Sequence, residues 1–136
     1  MIIYWISSYS KFTSIKNSFK GALIYDADLV LEYLQNSTRV STTPMYFSGS
    51  SIEIISNTNK YENFYLNSRG GVYNFEGAHF TEETSTYKNN SALLGGVMSC
   101  NKCKISTISN EYESNLANEG GVLYIESDSE LNTKFD

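Results

Sequence analysis

Short apolar segments alternate with polar turn residues along the chain, and each segment is too short to form one face of a helix. Typical segments lie at 52–55 (IEII), 104–108 (KISTI) and 122–125 (VLYI), separated by stretches rich in Gly, Asn and Ser. β-Branched and aromatic residues favour strands, whereas Gly and Asn favour turns. The pattern therefore predicts an all-β chain built from short strands.

The turns recur every 25 residues. Three glycine pairs mark this period, and a valine follows each pair: Gly70-Gly71-Val72, Gly95-Gly96-Val97 and Gly120-Gly121-Val122. A fixed period is typical of a solenoid, in which each repeat stacks on its neighbour. Helical repeats are longer, and the regular leucines of a leucine-rich repeat are missing. Because parallel strands can stack coil upon coil, we predict a parallel β-helix of about five coils.

A single domain over 1–136 is predicted, with regular repeats at 46–130 and irregular N-terminal coils at 1–45. The segment 26–35 (DADLVLEYLQ) is open between two interpretations. Its apolar spacing suits a helix after an Asp cap, but the 25-residue period aligns it with strand residues. The apolar stretch 1–8 is predicted to be a strand, because no basic region precedes it as in a secretory signal.

The period also predicts columns of equivalent residues stacked along the solenoid. Two apolar columns should form a buried core ladder: Phe47, Val72, Val97 and Val122 in one; Val30, Ile55, Phe80 and Ile105, ending at Glu130, in the other. Tyr87 should stack on Tyr112. The glycine pairs are expected at one corner of the coil and Asn90 and Asn115 at another, since Gly and Asn tolerate positive φ and Asn can hydrogen-bond along a stack.

Composition narrows the function classes. The 136 residues include 44 Asn, Ser and Thr, 14% aromatic residues and a net charge of −5. A phosphate-binding basic surface is therefore not expected, and the aromatic content argues against disorder. No run of 18 apolar residues exists, so no membrane span is predicted. We expect no nucleic-acid partner and no cofactor.

Cys100 and Cys103 form a C-x-x-C motif with three readings. A local disulfide, or two thiols at a turn, is the simplest, and an oxidising compartment favours the disulfide. A zinc site could recruit His79 from the preceding coil but would lack a fourth ligand. A thioredoxin-like redox pair needs a helix N-terminus, which is not predicted here. We therefore predict no metal site.

Two further motifs concern modification and catalysis. Asn36 and Asn89 each begin an N-glycosylation sequon, and either could equally be a plain turn residue. General acid–base chemistry requires two matched carboxylates, but Asp26 and Asp28 have no aligned acidic partners in other coils, and Glu82 with Glu83 forms no acidic cluster across coils. No catalytic residue is predicted.

Residues 87–97 (YKNNSALLGGV) and 112–122 (YESNLANEGGV) resemble the F-x-x-N…G-G-A-(I/V) repeat of polymorphic outer membrane proteins. Tyr stands where that repeat has Phe, and Val where it has Ala. Related cell-surface proteins with G-G-V coils also carry a C-x-x-C after the glycine pair, as this chain does at Cys100. The resemblance implies a right-handed, pectin-lyase-like parallel β-helix with a secreted or surface-displayed role.

These observations favour a non-catalytic structural or adhesive module, a glycoprotein of an extracellular or cell-surface assembly. Its partners would be further copies of itself or other surface proteins, because open strand edges at the ends of a solenoid can pair into a filament. A carbohydrate-binding or carbohydrate-cleaving β-helix is the alternative, because exposed tyrosine columns would stack on glycans. An interior scaffold of a cytoplasmic assembly is a third possibility, which free thiols at Cys100 and Cys103 would favour.

Overall fold

A computed structural model describes residues 3–6, 10–20, 45–50 and 52–134. Within these ranges the chain forms strands joined by tight turns. No helix long and apolar enough to cross a membrane occurs in this part of the chain. Val30, Asn36 and the segment 26–35 lie outside the described residues.

The described strands are short and follow one another closely. In chain order they are β1 (Ile3–Ile6), β2 (Ser10–Ile15), β3 (Ser18–Lys20), β4 (Met45–Ser48), β5 (Ile52–Asn57), β6 (Lys60–Glu62), β7 (Tyr73–Glu76), β8 (His79–Glu83), β9 (Thr86–Lys88), β10 (Ser91–Leu94), β11 (Met98–Asn101), β12 (Lys104–Ile108), β13 (Glu111–Glu113), β14 (Leu116–Glu119), β15 (Leu123–Glu126) and β16 (Glu130–Lys134).

The described strands form four parallel sheets. Sheet A has the order β1-β4-β7-β11-β15, sheet B β2-β5-β8-β12-β16, sheet C β3-β6-β9-β13 and sheet D β10-β14. Each strand pairs with the strand at the same place in the next coil, not with its neighbour in sequence. The chain is thus an all-β parallel β-solenoid of about three turns, each of about 26 residues.

The coils differ in length, which shifts two of the predicted columns. Phe47 lies opposite Phe75, not Val72, because the coil that begins at β4 is longer than the next one. In sheet B, Ile54 rather than Ile55 lies opposite Phe80, and Leu131 rather than Glu130 lies opposite Ile105. Side chains alternate between the two faces of a strand, so a shift of one residue moves a side chain from core to surface.

The inward residues form a continuous aromatic and aliphatic core. Val72, Val97 and Val122 form one column, joined by backbone bonds from Val72 to Val97 (2.8 Å) and from Val97 to Val122 (2.9 Å). A larger cluster packs beside it, composed of Phe47, Ile54, Tyr73, Phe75, Phe80 and Ile105, all buried. Burial of each such side chain contributes about 1.5–3 kcal/mol, so stacking accumulates stability along the solenoid.

Left-handed residues turn the corners of each coil. The first glycine of each pair has positive φ: Gly70 at 67°, Gly95 at 66° and Gly120 at 62°. At the corner where Asn90 and Asn115 were predicted, positive φ falls one residue earlier, on Asn89 (53°) and Ser114 (54°). Asn90 and Asn115 thus follow the turn instead of making it.

The second glycine of a pair is required by close packing between coils. A Cβ atom on Gly71 would overlap the carbonyl oxygen of Gly96, and one on Gly96 would overlap that of Gly121. A Cβ atom on Gly121 would meet nothing within 4 Å. The second glycine of the motif therefore has no room for a Cβ atom inside the stack but has room for one at the last described coil.

This contrast gives a matched pair of variants. We expect Gly96→Ala to lower the free energy of unfolding by about 2 kcal/mol or more, because backbone must move to admit the methyl group. Gly121→Ala should change it by less than about 0.5 kcal/mol. Urea unfolding of dilute protein, followed by circular dichroism, measures both. Equal losses in the two variants would contradict the close-packing explanation.

Candidate functional site

A carboxylate lies inside the solenoid. Strand β8 alternates exposed and buried positions, and this alternation turns Glu82 inward, where it is fully buried. Its register partners in the adjacent coils are Ser56 and Thr107, which are also buried. Sheet B therefore carries a polar column within the interior, beside the apolar column that contains Phe80.

Three donors surround the Glu82 carboxylate. Ser56 Oγ donates to Oε1 at 2.7 Å, while Tyr87 OH and Asn110 Nδ2 donate to Oε2 at 2.5 and 3.1 Å. Beside them the hydroxyls of Tyr61 and Tyr73 share a hydrogen bond of 2.5 Å. A buried carboxylate is costly unless donors satisfy its oxygens, and these side chains from three coils do so.

An aromatic ladder brings these phenol groups together. Phe19, Tyr61, Tyr87 and Tyr112 stack with centroid distances of 5.2, 4.8 and 5.3 Å and interplanar angles of 4°, 12° and 11°. Tyr87 and Tyr112 therefore stack as predicted, but Tyr61 and Tyr87 are fully buried. The tyrosine column lines the interior instead of offering an outer face to sugars, which removes the observation that suggested glycan binding.

Burial changes the acidity of the interior phenols. Desolvation, reinforced by the negative charge of Glu82, raises the pKa of Tyr61 and of Tyr87 well above the usual value. Desolvation, together with the neighbouring Tyr61, raises the pKa of Tyr73 as well. All three tyrosines are thus held in the neutral, hydrogen-bonding form at physiological pH. The network is a sealed structural element, since Glu82 is shielded from solvent on every side.

Polar side chains also connect one coil to the next at the corners. The backbone NH of Asn90 donates to Asn115 Oδ1 at 3.0 Å, and Asn115 Nδ2 donates to the carbonyl of Tyr87 at 3.0 Å. Asn90 makes equivalent bonds to the coil before it, with Phe64 N and Tyr61 O. Each asparagine side chain therefore satisfies a turn NH and a carbonyl group of the preceding coil.

A second ladder of this kind was missed in the sequence. Asn17 N donates to Asn59 Oδ1 (2.8 Å), Asn59 N to Ser85 Oγ (3.0 Å) and Ser85 N to Asn110 Oδ1 (2.8 Å). Asn59, Ser85 and Asn110 are separated by 26 and 25 residues. A search that allowed one extra residue per coil would have aligned them.

The two cysteines lie on either side of a corner between sheets A and B. Cys100 in β11 and Cys103 before β12 are bonded to each other, with their Cα atoms 5.9 Å apart, and both are buried. His79, by contrast, is exposed on the outer face of β8. No group of three or more His, Cys, Asp or Glu side chains in the described ranges could hold a metal ion. The structure thus does not bring His79 together with Cys100 and Cys103.

The glycosylation candidate Asn89 lies at a corner and is half-buried, and its Nδ2 donates to Asn63 Oδ1 at 3.4 Å. The hydroxyl-bearing residue of its sequon, Ser91, is buried in β10. The Asn89 side chain reaches the surface only in part, and its glycosylation stays a prediction.

The core is open at the last described coil. An open pocket of about 140 Å³ is lined there by apolar groups that include Met98, Ile105 and Leu123. Ile125 is 40% exposed and Leu131 44% exposed, although equivalent residues in the preceding coil are buried. Strands β15 and β16 are the last described strands of sheets A and B. Among the described residues, this end offers apolar surface together with strand edges that no further strand covers, as a binding surface for another strand would.

The carboxylate network predicts different outcomes for two substitutions at one position. Glu82→Gln should change the free energy of unfolding by less than about 1 kcal/mol, because an amide oxygen can still accept from Tyr87 and Asn110. Glu82→Ala should lower it by about 3–5 kcal/mol, because buried donors lose their acceptor and a cavity remains. Urea unfolding measures both, with the exposed Glu83→Ala as control. Similar losses in Glu82→Ala and Glu83→Ala would contradict the role of the network.

The buried phenols predict alkaline sensitivity. Tyrosines of the unfolded chain ionise near pH 10, whereas the pKa of Tyr61, Tyr73 and Tyr87 in the fold lies higher. Their stabilisation is complete below pH 10 and is lost as pH rises above it, by about 4 kcal/mol per pH unit for three groups. Unfolding measured from pH 8 to 12 should show this slope, and Tyr87→Phe should reduce it by about one third. An unchanged slope would contradict the assignment.

The chain matches no protein-family model, no curated protein and no solved structure. The likeness to surface-protein repeats therefore stands on the sequence motifs alone. The described part of the solenoid combines a buried polar network with a core that is open at the last coil.

Proposed function

We propose that the protein is a non-catalytic structural or adhesive module of an extracellular or cell-surface assembly, able to associate end to end. The exposed core and unpaired strand edges at β15 and β16 carry this proposal. A solenoid grows by adding a coil that covers such an end. An end that leaves Leu131 and Ile125 in solvent favours a role in which another chain or coil covers it.

The way the polar groups are used supports a structural role. Glu82 and Tyr87 have the chemistry of a catalytic site, but they are buried and hydrogen-bonded to each other. The described corners likewise use Asn90 and Asn115 to tie coil to coil. Since a substrate must reach a catalytic group, this arrangement favours a rigid module over an enzyme. No observation favours the sugar-binding alternative once the tyrosine column is interior.

We also propose the finer features that the sequence resemblance implies. The coil is right-handed, because parallel strands joined by crossovers take that hand in nearly all proteins. Strands β1–β3 pair with the regular coils and extend the stack toward about five coils. A disulfide between Cys100 and Cys103 fits an oxidising, extracellular compartment.

Intact-mass spectrometry of native material tests the compartment. We expect no reaction of Cys100 and Cys103 with an alkylating reagent unless a reductant is added, because their thiols are joined. The same sample, reduced and then alkylated, should gain two adducts and serves as the control. A glycan on Asn36 or Asn89 would support the extracellular assignment further. Free thiols in unreduced, unglycosylated protein would contradict that assignment and favour an intracellular scaffold.

A further inference from the structure

We propose that the C-terminal end of the described solenoid binds the N-terminal end of a second copy of this chain, with sheets A and B running on from one molecule into the next. In this arrangement β1 of the second copy adds to β15, and β2 of the second copy adds to β16. The proposal rests on the structural role proposed above and names its partner and its register.

Both ends present the edges that this pairing needs. Strands β1 and β2 are the first described strands of sheets A and B, and β15 and β16 are the last. Within the chain, β2 already pairs in parallel with β5, as β12 does with β16. A second copy would therefore repeat a parallel pairing that the molecule makes throughout, and the edge groups would gain partners.

Charges along the outer face of sheet B favour this register. One column of stacked residues reads Lys11, Glu53, His79, Lys104 and Glu130. Opposite charges within it form ion pairs, with Lys11 Nζ 3.1 Å from Glu53 and Lys104 Nζ 2.9 Å from Glu130. In the assembly Lys11 of the second copy would lie next to Glu130, which continues the alternation. Lys104 and its own partner Glu130 remain paired.

Two described segments at opposite ends of the stack, β2–β3 and β13–β16, carry opposite net charge. Residues 10–20 contain three lysines and no acidic residue, and their side chains Lys11 and Lys20 are exposed. Residues 111–134 contain six acidic residues and one lysine. Equal ends would repel, whereas these attract in a head-to-tail arrangement and only in that arrangement. Head-to-tail contacts of this type generate open filaments unless they close into a ring.

The apolar column of sheet B continues across the same junction. Inside the chain it reads Phe12, Ile54, Phe80, Ile105 and Leu131. Its middle members are buried, whereas Phe12 is half-buried and Leu131 is 44% exposed. Pairing β16 with β2 of the second copy would place Leu131 against Phe12. The same register therefore pairs opposite charges on the outer face of sheet B and apolar side chains on its inner face, because neighbouring residues of a strand point to opposite faces.

Sheet C contributes by charge and not by strand pairing. Its last described strand, β13, belongs to the coil before β15 and β16. Glu111 and Glu113 of that strand would face Lys20 of the second copy across one strand position. Attraction over such a distance is screened by salt, so the association should weaken as ionic strength rises.

Two charge reversals that complement each other test the proposal. Lys11→Glu leaves the C-terminal end intact, and Glu130→Lys leaves the N-terminal end intact. Each variant alone would oppose like charges at the junction, so its association should weaken by about tenfold or more. An equimolar mixture should restore association, because the altered N-terminal end of one variant then meets the altered C-terminal end of the other, and the two unaltered ends meet each other. Sedimentation velocity over a concentration series measures this, and negative-stain microscopy shows whether filaments form.

Lys88→Glu is the matched control. It breaks the Lys88–Glu113 ion pair (2.7 Å) within the chain but lies away from β1, β2 and β16. It should therefore associate as the unaltered protein does. Thermal unfolding of every variant shows that each is folded before its association is compared. Leu131→Glu, which acts on the apolar column, provides a second variant that should block association without changing Lys11.

The outcomes separate this inference from the proposed function. Association of the unaltered protein, its loss in both single variants and its recovery in the mixture support the head-to-tail register. A monomer at every concentration, or variants that associate as well as the unaltered protein, overturns it and points to another cover for this end. In that case the disulfide and glycan measurements still decide the extracellular structural role independently.

Discussion

Parallel hydrogen bonding in register between successive coils is the interaction on which this structure depends. It places residues at the same position of successive coils next to one another, so similar side chains form columns along the axis. Tyr61 therefore stacks on Tyr87 and Tyr87 on Tyr112, and Phe80 lies over Ile105. On the outer face the same register sets Lys104 beside Glu130. Core packing, the aromatic ladder and the surface ion pairs are all consequences of one backbone arrangement.

The corners make this register possible although the coils differ in length. Sheet B steps by 25 or 26 residues between regular coils, and by 42 between Lys11 in β2 and Glu53 in β5. Left-handed residues such as Gly95 and Asn89 turn the chain sharply between strands. Between sheets A and B, the corner at 127–129 holds one residue more than the corner at 102–103, and the strands on both sides stay in register. The buried side chains that follow, Asn90 and Asn110 among them, bond the turn groups of the preceding coil. Corner chemistry therefore protects the register of the strands.

The buried polar groups around Glu82 have hydrogen-bond partners inside the solenoid, whereas apolar side chains at the last described coil face solvent. Inside, Glu82 accepts bonds from Ser56, Tyr87 and Asn110, so a group that would be costly alone becomes a tie between three coils. At the last described coil, Leu131 and Ile125 meet solvent, and a methyl group on Gly121 would meet nothing. Among the described residues, the core is therefore closed between coils and open at the last coil. This asymmetry, with opposite charge on β2–β3 and β13–β16, is the basis of the proposed assembly role.

The repeat pattern of the sequence was enough to predict the all-β solenoid class, because helical repeats are longer than the 25-residue G-G-V period. It also placed Tyr87 on Tyr112 and Asn90 beside Asn115, since these lie in coils of equal length. The pairing of the strands in the fold was needed to show that Ile54 rather than Ile55 enters the core, and that Phe47 stacks on Phe75. It alone revealed the Asn59–Ser85–Asn110 ladder and the inward turn of Glu82. Side chains alternate between the two faces of a strand, so one extra residue at a corner turns every following core side chain outward. Neither the composition nor the 25-residue period shows at which corner such a residue lies.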